Sequence, residues 1–187
     1  MLRCVLRRKV KGVCVMAKTL VVYYSRKGEN HMPGGIQILE KGHTKYAAEY
    51  IRDALDADLF EIDTVTPYAE NYRECCMQAA AEMKAGARPE IRNYVEDLSG
   101  YDTIFVCFPC WCGTAPMCVF TFLEHYNLEG KRIIPLCTNE GSGMANAEKD
   151  LTASCQGAAV IPGLAVKGHQ TQDSRELIAN WAKEQIK

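Results

Sequence analysis

Five predominantly apolar runs alternate with amphipathic segments along this chain, and this alternation constrains the fold more than any other feature. The runs begin at Thr19, Ala57, Tyr101, Lys131 and Ala158. Runs that are apolar throughout indicate strands covered on both faces of a sheet. Strands that alternate with helices predict a parallel sheet with helices on both faces and right-handed crossovers. The sequence therefore predicts a doubly wound α/β fold in three layers, with a five-stranded parallel sheet.

The first fifteen residues differ from the rest of the chain. They contain five Arg or Lys residues and no acidic residue. Charges interrupt every short apolar run among them, which argues against a signal peptide. We interpret residues 1–15 as a disordered leader or a mis-assigned start, and residues 16–187 as a single domain.

Charge and hydropathy exclude two classes of partner. Without the first fifteen residues, 17 basic residues remain beside 23 acidic ones, a net charge of −6. An acidic domain argues against nucleic-acid binding and favours basic protein partners. No apolar run approaches the length needed to cross a bilayer. We therefore predict no nucleic-acid partner and no membrane partner.

The chain has ten cysteines, but neither a disulfide framework nor a metal site is predicted. Nothing in the sequence indicates secretion, which disulfide frameworks accompany. A structural zinc site needs four ligands, usually in two spaced pairs. Cys107, Cys110 and Cys112 supply only three, and the adjacent Cys75 and Cys76 make a poor second pair. Most thiols are predicted to be small core residues in a reducing, cytoplasmic compartment.

The loop after the first strand is suited to an anion. It begins at Ser25 and ends at Thr44, which can cap the next helix, and the insertion Glu29–Lys41 divides it. Hydroxyl groups and the N–H groups of a helix N-terminus suit a phosphate. The loop lacks the Walker ending and the G-x-G-x-x-G pattern, and an ordinary capped helix after a glycine turn remains an alternative interpretation.

Two further loops follow strands whose carboxyl ends form the ligand-binding edge of such sheets. In "PCWCGT", Trp111 is expected to be exposed and to offer a flat ring, and Gly113 permits close approach of the backbone. The alternative is a core tryptophan that happens to follow a strand. "CTNEGSG" contains small and polar residues that suit either a heteroaromatic edge or a tight turn.

Together the three loops resemble the motifs of the flavodoxin-like family of FMN-binding proteins. In the first loop, Ser25 and "GHT" look like the two ends of the family motif S-x-T-G-N-T. The second loop follows the strand in "YDTIFVCFPCWCGTAPM", which is similar to a strand followed by Y-P-x-W-W-G-x-x-P. The third loop, "CTNEGSG", is similar to T-H-G-G-S-G. His43 departs from the usual Asn, and Cys112 from the second Trp often found. The resemblance implies the strand order 2-1-3-4-5 and FMN as the cofactor. The residues that it implies for FMN binding are Ser25, Arg26, Lys27, Gly42, His43, Thr44, Pro109, Cys110, Trp111, Cys112, Gly113, Thr114, Thr138, Asn139, Glu140, Gly141 and Gly143.

The resemblance also implies a function, because FMN carries the redox chemistry and the protein supplies binding and orientation. We expect an electron-transfer protein that shuttles electrons between redox protein partners. The alternative is an FMN-dependent NAD(P)H oxidoreductase acting on small quinones or nitro compounds, with Cys110, Cys112 and the insertion forming its pocket. A binding or sensor protein without flavin is a third class. The insertion is expected to be either one wall of the site or a surface flap.

Overall fold

A computed structural model describes residues 8–10, 13–15 and 18–187 of the chain. This part of the chain contains ten β-strands and five α-helices. The strands are β1 (Arg8–Val10), β2 (Val13–Val15), β3 (Lys18–Tyr23), β4 (Gly28–Met32), β5 (Gly35–Leu39), β6 (Asp58–Glu61), β7 (Tyr101–Pro109), β8 (Arg132–Asn139), β9 (Ala159–Val160) and β10 (Leu164–Lys167). The helices are α1 (His43–Leu55), α2 (Tyr72–Ala85), α3 (Met117–Glu124), α4 (Ala147–Ser154) and α5 (Arg175–Gln185).

The central sheet has the order β6–β3–β7–β8–β10, and every neighbouring pair in it is parallel. Counted along the chain, this is the order 2-1-3-4-5, so the predicted fold class is confirmed. The order reverses direction between β3 and β7, and ligands of doubly wound sheets bind beyond the carboxyl ends of the strands at such a switch point.

The last predicted strand is divided into two pieces. β9 pairs with the start of β8 at Arg132 and Ile133, and β10 pairs with the second half of β8 from Leu136 onward. Between them the backbone of Gly163 passes so close to the Pro135 carbonyl that a Cβ atom would lie under 3.0 Å from its oxygen. The chain therefore leaves the sheet and rejoins it at the same edge.

Two apolar layers cover the sheet, as the apolar strands predicted. α1 and α5 pack on one face, where Ile51 and Ile178 are fully buried. α3 and α4 pack on the opposite face, where Phe122 and Leu151 are fully buried. The central strands are therefore shielded from water on both sides, which explains why they lack the polar alternation of half-exposed strands.

Two small antiparallel pairs lie outside the central sheet. β4 pairs with β5, so the insertion in the first loop is a β-hairpin that turns at Pro33 and Gly34. β1 pairs with β2 inside the segment that the sequence analysis interpreted as a leader, and the remainder of that segment lies outside the described residues. Within the described residues, no helix has the length and apolar character that crossing a membrane requires.

Candidate functional site

The two halves of the first loop meet despite the inserted hairpin. The Ser25 hydroxyl accepts a hydrogen bond of 3.1 Å from the backbone N–H of Lys45 in the first turn of α1. Gly42, which precedes α1, lies so close to Ser25 and Arg26 that a Cβ atom would overlap both the Ser25 hydroxyl and the Arg26 carbonyl. The hairpin therefore projects from a loop whose two ends are in direct contact.

Thr44 links the first loop to the loop after β8. The prediction that it caps α1 was wrong, because Gly42 occupies the N-cap position and Thr44 lies within the first turn. Its hydroxyl oxygen is instead 2.7 Å from the hydroxyl oxygen of Thr138, and both residues are buried. Two hydroxyls far apart in sequence, one on α1 and one on β8, thus meet beside the N-terminus of α1.

Arg26 contributes a positive charge beside these hydroxyls. Its guanidinium donates hydrogen bonds to the carbonyls of Glu29, Ala69 and Glu70 at 3.1, 2.8 and 2.6 Å. Backbone carbonyls have no net charge, so these bonds orient the guanidinium without neutralising it. The neighbouring Lys27 is exposed and does not line the cleft described below.

The inserted hairpin is anchored to the start of α2. The Glu29 carboxylate accepts hydrogen bonds from the backbone N–H of Tyr72 at 2.7 Å and from the side-chain amide of Asn71 at 3.3 Å. A carboxylate at a helix N-terminus is stabilised by the unpaired N–H groups there. The rings of His31 and Tyr72 are 6.2 Å apart. These contacts hold the hairpin against the body of the domain.

Trp111 is half-buried, whereas the sequence analysis expected it to be exposed. Its ring packs edge-to-face on Tyr24 and Tyr68, with centroid distances of 5.3 and 4.9 Å. Its backbone forms two hydrogen bonds with Thr114, and the intervening Cys112 and Gly113 have φ angles of 52° and 80°. The loop is therefore a tight turn that fixes the indole between two tyrosines.

Asn139 organises the loop after β8. Its side-chain oxygen accepts hydrogen bonds from the N–H groups of Gly141 and Gly143 at 2.9 and 3.0 Å. Its side-chain nitrogen donates to the carbonyl of Val166 on β10 at 3.2 Å. One amide thus closes the turn and ties it to the neighbouring strand.

A histidine–carboxylate cluster that the sequence analysis missed borders this loop. Glu140 accepts hydrogen bonds from the ring and the backbone N–H of His169, at 2.6 and 3.0 Å, and lies 4.0 Å from the ring of His43. Gly168 fits between them only because it has no side chain. Burial lowers the pKa of His43, although the nearby Glu140 opposes this shift. Both Gly168 and His169 follow β10, whose carboxyl end lies at the same edge of the sheet as the other three loops.

These segments surround one cleft at the carboxyl edge of the sheet. Of the predicted site residues, those that line it are Arg26, His43, Thr44, Pro109, Cys110, Trp111, Thr138, Asn139 and Glu140. Those that lie outside its lining are Ser25, Lys27, Gly42, Cys112, Gly113, Thr114, Gly141 and Gly143. Four further residues that the sequence did not predict also line the cleft, and these are Asn30, His31, Tyr72 and Gly168. Among the described residues, no group of three or more His, Cys, Asp or Glu side chains is arranged to hold a metal ion.

Cys110 has an unusual environment in the cleft wall. Hydrogen bonds from the Cys137 thiol, the Ser142 hydroxyl and the Gly113 N–H stabilise its ionised form, and they lower its pKa to about 6 against the opposing effect of burial. Two residues away, burial raises the pKa of Cys112. The more exposed of these two thiols is therefore the one that stays protonated.

We expect the alkylation of Cys110 by iodoacetamide to reach half of its plateau rate near pH 6. Only the thiolate reacts, so the rate follows the ionised fraction. Quenched-flow labelling followed by peptide mass spectrometry gives the profile of each cysteine in the same sample, and Cys112 serves as the internal control with a midpoint at higher pH. A Cys110 midpoint above about pH 8, which is ordinary for a thiol, would contradict the assignment.

A family model described as flavodoxin matches residues 38–185. A candidate flavoprotein from Bacteroides uniformis ATCC 8492 is 30% identical, with a TM-score of 0.73 over 89% of this chain and 98% of its own. A second candidate flavoprotein, from Bacteroides eggerthii DSM 20697, is 26% identical, with a TM-score of 0.67 over 87% and 98% of the two chains. A flavoprotein from Lactobacillus acidophilus NCFM, solved in complex with FMN, is 21% identical with a TM-score of 0.64 over 84% and 97% and supports the fold alone. A search of curated proteins gave no match.

Proposed function

Because the chain belongs to the flavodoxin family, we propose that it binds FMN in the cleft at the carboxyl edge of its sheet and carries electrons between redox partners. The observation that carries this proposal is the meeting of three loops in one cleft. One loop offers hydroxyls and a helix N-terminus, the second offers a tryptophan ring, and the third offers polar groups around Asn139. This combination suits a molecule with a phosphate at one end and a planar heteroaromatic ring at the other.

The first loop fits the phosphate of FMN. One hydroxyl of the hydrogen-bonded pair Thr44 and Thr138 has a proton left to donate to it, and the N-terminus of α1 favours negative charge. The Arg26 guanidinium lines the same cleft and keeps its charge. Glu140 also lines the cleft, where its carboxylate accepts hydrogen bonds from the ring and the backbone N–H of His169.

The other two loops fit the ring. Trp111 presents an aromatic surface whose position two tyrosines fix. Thr114, in the same turn, is buried and lies behind the lining of the cleft. Asn139 holds the third loop closed beside the cleft.

FMN supplies both one- and two-electron redox chemistry when it is bound. The chain would bind it, orient it and set the surrounding charge. The net charge of −6 over residues 16–187 favours basic docking partners through electrostatic steering, which raises association rates in carriers that exchange partners quickly.

A second candidate function is the reduction of small quinones or nitro compounds with NAD(P)H. The hairpin favours it, because Asn30 and His31 line the cleft and form a wall that a simple shuttle does not require. Such a wall is a means of holding a small substrate beside a cofactor.

FMN binding is tested by titrating flavin fluorescence with the full-length chain. We expect saturable 1:1 quenching by FMN and much weaker binding of riboflavin, because riboflavin lacks the phosphate that the first loop is proposed to hold. A chain that binds neither flavin would contradict the proposal.

Turnover separates the two candidate functions. An electron carrier should reduce a quinone with NADPH only when a flavodoxin reductase is added, whereas an oxidoreductase should do so alone. Steady-state NADPH oxidation, measured with and without the reductase, gives the answer, and the FMN-free chain is the control for background reduction.

A further inference from the structure

A carboxylate and two histidines meet at the end of the cleft where α1 begins. One oxygen of Glu140, Oε2, accepts a hydrogen bond of 2.6 Å from the ring of His169, and the other, Oε1, accepts one of 3.0 Å from the His169 backbone N–H. Oε1 also lies 4.0 Å from Nδ1 of His43, which is the first residue of α1. The side chains of His43 and Glu140 line the cleft and are only 12% and 19% exposed. The three side chains therefore form one cluster beside the helix N-terminus that we propose for the phosphate.

The position of the Glu140 carboxylate is fixed from two sides. Its two hydrogen bonds to His169 hold it in place, so it cannot turn away from His43 without losing them. The backbone of Gly168 lies against the gap between His43 and Glu140, where a Cβ atom would overlap both Nδ1 and Oε1. The carboxylate is thus held facing the imidazole of His43.

This arrangement presents an electrostatic problem for an anionic ligand. A phosphate monoester carries close to two negative charges at neutral pH. At the N-terminus of α1 these charges would share the cleft with the Glu140 carboxylate, and burial limits the screening of their repulsion. The His43 ring both lines the cleft and faces Glu140, so a positive charge on it would offset the repulsion.

We propose that His43 takes up a proton when FMN binds, and that this charge balances the phosphate against Glu140, which His169 positions. The inference rests on the proposed binding of FMN in the cleft and adds the charge state in which the chain binds it. Position 43 is also where this chain departs from the Asn of the family motif. An amide side chain does not titrate, so the coupling is a property of this chain and not of the fold.

The direction of the coupling follows from the environment of His43. In the chain without ligand, burial lowers the pKa of His43, Glu140 acts in the opposite direction, and His169 adds to the lowering. His43 is therefore mainly neutral above pH 7, and a bound dianion would raise its pKa. Coupling between two ligands is reciprocal, so protonation of His43 must strengthen FMN binding by the same factor. FMN affinity should consequently fall as the pH rises.

Other charged and titratable groups surround His43. From the elements that border the cleft, they are Arg26, His31, Tyr72 and Cys110. The lysines on the nearby backbone are Lys41 and Lys45, which pair with Glu49 and Glu61, and Lys167, which is exposed. Of these groups, His31 and Cys110 can also take up a proton near neutral pH, so the test must separate them from His43.

Calorimetric titration of the full-length chain with FMN at pH 7.5, in HEPES and in Tris at equal ionic strength, gives the dissociation constant and the number of protons exchanged. At this pH the phosphate, with a second pKa of about 6, is already dianionic, so the protein takes up any proton that is counted. We expect uptake of about 0.5–1 proton per FMN and a dissociation constant that rises about 3- to 10-fold between pH 7.5 and pH 8.5. FMN binding with uptake of less than about 0.2 proton would overturn the inference and leave the proposed function intact.

Variants assign the proton to one residue. His43→Asn should reduce the uptake to less than about 0.2 proton and flatten the pH dependence of FMN binding. In His31→Gln and Cys110→Ser the uptake should persist even where the affinity changes, and its loss in either of them with retention in His43→Asn would overturn the inference. His125→Gln is the matched control, because His125 is exposed at the C-terminal end of α3 and stacks on Tyr94 outside the cleft. It should give the wild-type proton number.

NMR titration of the imidazole signals gives a second readout that does not need flavin. The chain has four histidines, so single variants assign each signal. Relative to chloride at the same ionic strength, inorganic phosphate should raise the pKa of His43 by about one pH unit and leave His125 unchanged. If the chain binds no FMN, the proposed function fails and this titration still decides the inference. A His43 pKa that inorganic phosphate does not move would then overturn it.

Discussion

Replacing Gly42 with alanine is expected to weaken FMN binding by about 10- to 100-fold and to lower the melting temperature. The added Cβ atom would overlap the Ser25 hydroxyl and the Arg26 carbonyl, where the two halves of the first loop meet. Relieving an overlap of this kind costs about 1–3 kcal/mol. If this strain destabilises the conformation that binds FMN, it lowers the affinity by about 10- to 100-fold. Fluorescence titration with FMN and thermal unfolding measure the two effects.

Gly100→Ala is the matched control for this prediction. A Cβ atom on Gly100 meets no atom within 4 Å, and its φ angle suits any residue. This variant should change the free energy of unfolding by no more than about 0.5 kcal/mol and leave FMN affinity unchanged. If Gly42→Ala binds FMN as tightly as Gly100→Ala does, the contact between the loop ends is not needed for binding.

Trp111→Ala is expected to lower both stability and FMN affinity. The indole packs edge-to-face on Tyr24 and Tyr68 and contacts the core behind the cleft. Removing a half-buried tryptophan should reduce the free energy of unfolding by about 2–3 kcal/mol, somewhat less than for a fully buried one. Loss of an aromatic contact to a planar ring costs about 1–3 kcal/mol of binding free energy, so affinity should fall by about 5- to 150-fold. Urea unfolding and flavin titration measure the two quantities.

Trp181→Ala separates stability from binding. Trp181 is also half-buried, but it packs on Phe105 beneath α5, on the face of the sheet opposite to the one that Trp111 packs against. We expect a similar loss of stability with little change in FMN affinity. Equal losses of affinity in the two variants would mean that Trp111 acts through general destabilisation and not through contact with the flavin.

The fold followed from the sequence because its signals are local. Strand and helix periods are set by the backbone geometry of each element, so the runs at Thr19 and Tyr101 identified their strands without knowledge of the rest of the chain. The division of the last strand into β9 and β10 was not predictable in this way. It depends on the approach of Gly163 to the Pro135 carbonyl, a contact between residues 28 positions apart.

Site residues were predictable where they carry a motif of their own. Thr44, Trp111 and Asn139 were recognised within three short loops, and all three line the cleft. Gly168 and His169 follow β10 and belong to no recognisable motif. Only the pairing of β10 with β8 brings them to His43 and Glu140. Similarly, Asn30 and His31 line the cleft because Glu29 anchors the hairpin to α2.

The sequence by itself determined the alternation of strands and helices, the acidic character of residues 16–187 and the three loops suited to a ligand. Tertiary structure alone decided that Ser25 and Gly42 touch across the hairpin and that Trp111 is held between two tyrosines. The reason is physical: periodicity and turn chemistry act between near neighbours in the chain, whereas hydrogen bonds, burial and pKa shifts depend on groups that only the assembled sheet brings together.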